Sequence, residues 1–149
     1  LPVSLALSLL PLSAQAEKTW HWQYASKDIK ASGTLTTGDE PDANGYFLVT
    51  SIKGKRNGQK ITGLVPKGES IPGNEPYTVD DLIRISKKGQ LTGSGIGFTT
   101  ADGVNANPFC KEPDQPASCL EFSSQKKDEA LKTAEVAIEF SASTRSKHK

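Results

Sequence analysis

Apolar and polar residues alternate along most of this chain in short runs, and clusters of Gly, Pro, Asn and Asp cut each run short. That pattern constrains the fold more than any other feature. Period-two alternation buries one face of a strand, and no stretch keeps helical spacing over several turns. Trp20, Trp22 and Tyr24 alternate with His21 and Gln23. A second, looser strand covers 29–37, and 38–45 is a polar turn cluster. Aromatic and β-branched residues fill 46–55. Asn57-Gly58 then supplies the two positive-φ positions of a tight hairpin turn, which predicts a returning strand over 60–65. Proline and glycine make 66–76 a loop. Residues 81–86 are expected to pair with 90 onward through Lys87-Lys88-Gly89, with Gly93, Gly95 and Gly97 bulging or curving the return. A long loop is expected over 99–116, a short strand over 120–122, one or two helical turns over 125–132, and a last strand over 134–140. The sum is an all-β fold: an antiparallel meander of about seven or eight strands, barrel or sandwich, whose first and last strands pair to close the sheet.

At 149 residues the chain has room for one core. Its formal net charge of +1 leaves no global field to gather nucleic acid or an anionic membrane. Two histidines and two cysteines exclude a large metal-cluster framework. No cofactor motif is present.

The first sixteen residues run apolar from Leu1 to Leu12, carry no charge, and end in Ala14-Gln15-Ala16. They read as the apolar region and cleavage site of a secretory signal peptide, whose basic start is expected upstream of Leu1. The run is too short for a membrane-spanning helix of about 20 residues. The organisation expected is therefore a cleaved leader over 1–16, one β domain over 17–141 and a basic flexible tail over 142–149. The protein is expected to be secreted or periplasmic. In an oxidising compartment a lone close pair of cysteines forms a disulfide, so Cys110 and Cys119 are expected to be bonded.

Ser32-Gly33-Thr34-Leu35-Thr36-Thr37, Asp42-Ala43-Asn44-Gly45-Tyr46-Phe47 and Ile52-Lys53-Gly54-Lys55-Arg56-Asn57-Gly58, continued by Pro72-Gly73-Asn74, Asp80-Asp81-Leu82-Ile83, Leu91-Thr92 and Gly97-Phe98, carry a resemblance. Over about 17–122 the chain resembles a group of small exported bacterial proteins, frequent in cyanobacteria and proteobacteria. Many of them carry a PEP-CTERM sorting tail. The resemblance implies export and a β fold and no particular activity. The segment 141–149 has the basic cluster of such a tail without Pro-Glu-Pro or an apolar span.

Chemistry is sparse. His21 is the one histidine inside the predicted domain, and no Gly-x-Ser-x-Gly elbow accompanies it. Gly93-Ser94-Gly95-Ile96-Gly97 lacks the Lys-Ser/Thr of a phosphate-binding loop. Glu40, Asp42, Asn44 and Gly45, with Asp39 beside them, have the first spacings of a calcium loop but lack its closing glutamate, and turn chemistry accounts for them as well. Trp20, Trp22 and Tyr24 are a candidate sugar-stacking platform, with burial in the core as the competing expectation. Lys53, Lys55, Arg56 and Lys60 crowd one hairpin as a candidate polyanion site, and charged hairpins also guard sheet edges. Three functions follow. The first is a non-enzymatic domain that binds extracellular or periplasmic polymer or acts structurally in the cell envelope or extracellular matrix. The second is a carrier with a barrel cavity for a small apolar ligand, and the third a small hydrolase using acidic loops.

Overall fold

A computed structural model describes residues 16–115 and 118–144. The expected leader, except Ala16, and residues 145–149 of the expected tail lie outside them. The described chain is all β, with no helix. Its strands are β1 (Glu17–Ala25), β2 (Lys30–Gly38), β3 (Tyr46–Arg56), β4 (Gln59–Leu64), β5 (Leu82–Arg84), β6 (Phe98–Thr100), β7 (Asn105–Cys110), β8 (Cys119–Lys127), β9 (Ala130–Ala137) and β10 (Glu139–Thr144). Every pairing is antiparallel, in the order β10-β1-β2-β3-β4-β6-β7-β8-β9, with β5 on the first half of β3. Only Ile138 separates β9 from β10. The two ends of the order are thus one continuous stretch of chain, and the sheet curls back on itself. The expected pairing of first and last strands is present, Trp20 opposite Thr144 through Ala25 opposite Glu139.

Alternation places the core. Rows across β3, β2, β1 and β10 read Ile52–Leu35–Trp20–Thr144, Gly54–Gly33–Trp22–Ala142 and Arg56–Ala31–Tyr24–Phe140. These rows face inward, where Trp20, Trp22, Leu35, Ile83, Leu91, Ile96 and Phe98 fill the interior. Gly33 and Gly54 lie directly opposite one another, and a Cβ on either would overlap the partner strand's backbone. Trp22 is the next residue of the same row, opposite Gly33, its Nε1 donating to the Thr34 carbonyl at 3.1 Å. A second cluster, Val65, Ile71 and Val79, packs with Phe122 on the outer side of β8. The 66–76 loop expected from its prolines therefore forms the lid of a small satellite core.

Four expectations change. Among the described residues there are ten strands, because β7 occupies the expected loop over 99–116 and the last strand divides at Ile138. Pro108 is tolerated in β7 because its carbonyl turns away from β8 to accept from Ile96, where no ladder amide is required. Residues 125–132 are a hairpin: Asp128 and Glu129 both have positive φ (51° and 73°), which turns the chain from β8 into β9. Residues 93–97 are not a strand. Gly95 (φ 73°) bends them so that Ile96 reaches Pro108, and of the expected 81–92 hairpin an Ile83–Leu91 bridge and an Arg84–Gln90 backbone bond remain. Finally, residues 142–144 of the expected tail are strand, because β10 continues to Thr144. The Gln90 side chain brackets Ala142 there, accepting from its N–H and donating to its carbonyl, both at 2.9 Å.

Cys110 and Cys119 are bonded and lie directly opposite on β7 and β8. The Cys110 amide points outward to Thr92, and the Cys119 carbonyl outward to Ile138. This is therefore a non-hydrogen-bonded pair, the cross-strand position at which side chains approach most closely.

Candidate ligand-binding cleft

The partner switch at Ile138 opens the molecule at one end. β9 is laddered to β8 and β10 to β1, and between them the Ile138 amide holds the Cys119 carbonyl at 3.0 Å. Beside this break lies a half-open cleft of about 840 Å³. Phe140 is the partly exposed apolar residue on its wall, with Tyr24, Ala31 and Ile138 buried just behind, and Gln23, Ser32 and Ser141 line its polar side. Lys30 at the start of β2, Lys55 near the end of β3, Lys88 between β5 and β6, and Glu139 supply the charges.

Tyr24 belongs to both the cleft and the core. Its ring stacks on Phe140 at 6.2 Å and on Trp22 at 5.9 Å, and its hydroxyl donates to Glu121. Arg56 donates from Nε and Nη2 to the two Glu121 oxygens, each at 2.7 Å. β1, β3 and β8 are thus tied by one buried carboxylate that accepts three hydrogen bonds. Burial, followed by the nearby Glu121 charge, pushes the Tyr24 hydroxyl well above its ordinary pKa. Burial alone would lower Arg56, but the hydrogen bonds and charge of Glu121 outweigh it and raise its pKa. Arg56 also lines a smaller groove of about 280 Å³ with Val104, Lys127 and Lys132, so the cluster separates that groove from the cleft.

The sequence-derived candidates fall apart into separate places. Trp20 and Trp22 are sealed in the core, at 0% and 3% exposure, and present no ring face to a sugar. Tyr24 is buried as well, but borders the cleft. Of the basic hairpin, Lys53, Lys55 and Lys60 are exposed, with Lys55 directly opposite Lys60, whereas Arg56 turns inward to Glu121 and leaves that patch. Asp42 Oδ1 caps its own turn, accepting from the Asn44 and Tyr46 amides. Asp39, Glu40 and Asn44 are exposed around it, and among the described residues no third His, Cys, Asp or Glu gathers with any two others. His21 is exposed on the outer face of β1.

Sequence reasoning missed Glu121 and Asp81. Asp81 is 1% exposed, has φ 56°, and accepts from the Gly97 amide at 3.3 Å. Burial pushes its carboxyl up to about 7, helped by the adjacent Asp80 charge. Asp80, itself raised by burial, accepts from Thr92 Oγ1 at 2.6 Å. The two carboxyls serve different loops and do not face one another's partner. The signal for Asp81 lay in its setting, a polar residue at the head of Leu82-Ile83.

Fold and cleft together define a disulfide-linked antiparallel β domain, filled in the middle and open at one end. No known protein family, curated protein or solved structure matches the chain. Among the described residues no helix is long and apolar enough to cross a membrane.

Proposed function

We propose that this chain is an exported, non-enzymatic binding domain that carries a small amphiphilic molecule in the cleft beside Ile138. The observation that carries this reading is the cleft itself: a concavity walled by Phe140, with Tyr24, Ala31 and Ile138 packed directly behind it, at the end of an interior that aromatic side chains otherwise fill. It favours the carrier over the polymer-binding surface, because the tryptophans are buried and Arg56 is withdrawn. The hydrolase reading finds less support, since Glu139 is the single carboxylate among the lining residues. Export is supported by the leader-like 1–16 segment, by a bonded cysteine pair of the kind that persists in oxidising compartments, and by the resemblance to exported bacterial proteins.

The test is a titration with N-phenyl-1-naphthylamine, a neutral apolar fluorophore. Saturable binding of one probe per chain is expected, and Phe140→Asp should weaken it severalfold while leaving the circular-dichroism spectrum unchanged. A linear, unsaturable signal, or equal binding by that variant, would sink the proposal.

A further inference from the structure

We infer that the molecule held in this cleft is an amphiphile with an anionic head, of the chemistry of a medium-chain carboxylate, whose charge is read by Lys30, Lys55 and Lys88. This rests on the binding reading above and specifies its ligand class. Three cations stand against one anion around the cleft, and they come from three different elements. Among the described residues none of the three lysines makes an ion pair; the ion pairs present are Arg56–Glu121 and Arg84–Asp114. Glu139 shares the cross-strand row Lys30–Ala25–Glu139, with Ala25 between the two charges, so it does not neutralise Lys30 by contact.

Edge protection does not explain these lysines. β2 is paired with β1 throughout and with β3 from Ala31 on, and Asn57 takes the Lys30 amide and carbonyl on that side, so Lys30 guards no open edge, and Lys55 lies where β3 pairs with both β2 and β4. Lys55 also sits directly opposite Lys60, and facing like charges destabilise a ladder. Lys30 and Lys55 alternate with the inward Ala31 and Arg56, so their charge stands at the rim of the cleft, outside its apolar wall, which is the arrangement that orients a molecule with one charged and one apolar end.

The experiment compares three molecules with the same chain, each displacing N-phenyl-1-naphthylamine from the intact protein at low salt: dodecanoate, dodecanol and dodecyltrimethylammonium. Dodecanoate is expected to act at about one-tenth the concentration of dodecanol, and the cation to be weakest. Sodium chloride at 0.5 M should shrink the dodecanoate advantage, because these lysines are exposed and screened. The double variant Lys55→Gln/Lys88→Gln should bring dodecanoate close to dodecanol and leave dodecanol unchanged. If dodecanol and dodecanoate bind equally well, the anion assignment fails and the cleft reading survives. If none of the three displaces the probe, both fail. Sedimentation with phosphatidylglycerol vesicles, without displacement by free dodecanoate, would overturn the assignment in favour of a membrane surface.

Discussion

Glu121 is where β1, β3 and β8 converge, and its energetics can be separated from its geometry. Removing one member of a buried ion pair strands the other charge. Glu121→Leu should therefore cost about 3–5 kcal/mol in urea denaturation, whereas Arg56→Met/Glu121→Leu together should recover most of the loss. Asp81 gives a pH signature. Its carboxyl titrates near 7 when folded against 3.8 ordinarily, so the folded state holds the proton after the unfolded state has lost it. Stability from this group is intact at low pH, falls as pH rises from about 4 to about 7, and then levels off. Asp81→Asn keeps an acceptor for Gly97 and tolerates positive φ. It should flatten that decline and raise the melting temperature at pH 8 but not at pH 4. Arg56 shares parity with Ile52 and Gly54, which puts it on the inner face, yet sequence reasoning groups it with the exposed lysines of its hairpin because charge outweighs parity there. Glu121 was not legible in the sequence. Leu120 and Phe122 mark the opposite parity as apolar, because the 66–80 segment covers the outside of β8 and buries that face too. Alternation reports one wet face, and β8 has none near its start.

Among the elements, β10 is held by unequal means on its two edges. One edge is a ladder to β1; the other is met at Ala142 by a side chain that imitates a strand. Gln90→Ala leaves the Ala142 amide and carbonyl without these partners and should cost about 1–3 kcal/mol. Hydrogen exchange should show it most directly, with faster exchange at Ala142 and little change in β2. The β8–β9 turn offers the opposite result. Glu129 adopts φ 73° without being glycine, so Glu129→Gly should stabilise by about 1 kcal/mol, read as a higher melting temperature. That turn escaped sequence reading because Lys, Glu, Ala and Leu around it favour a helix, and Asp128 alone is a residue type suited to the left-handed conformation that Glu129 also adopts. The Asn57-Gly58 hairpin was legible for the converse reason: its residue types are those the backbone angles demand.

On the scale of the whole molecule, the disulfide closes a separation of 9 residues between two adjacent strands. Chain entropy assigns such a loop about 2–3 kcal/mol. Reduction, or Cys110→Ser/Cys119→Ser, should lower the melting temperature by on the order of 10 °C and leave the β signature in circular dichroism intact. Fold class was readable from alternation and turn spacing, whereas the pairing of first and last strands was expected only because it removes two open edges. The cleft was not readable, since it arises from the offset between two ladders at Ile138, and no single strand records an offset. That same seam has a temporal consequence. Trp20 and Thr144 lie more than a hundred residues apart along the chain, yet they are ladder partners. Folding must wait for the far end before the near end can settle, so this domain belongs among the slow, high-contact-order folders. A chain emerging amino-terminus first would keep the free edge of β1 unpaired until Thr144 had been delivered.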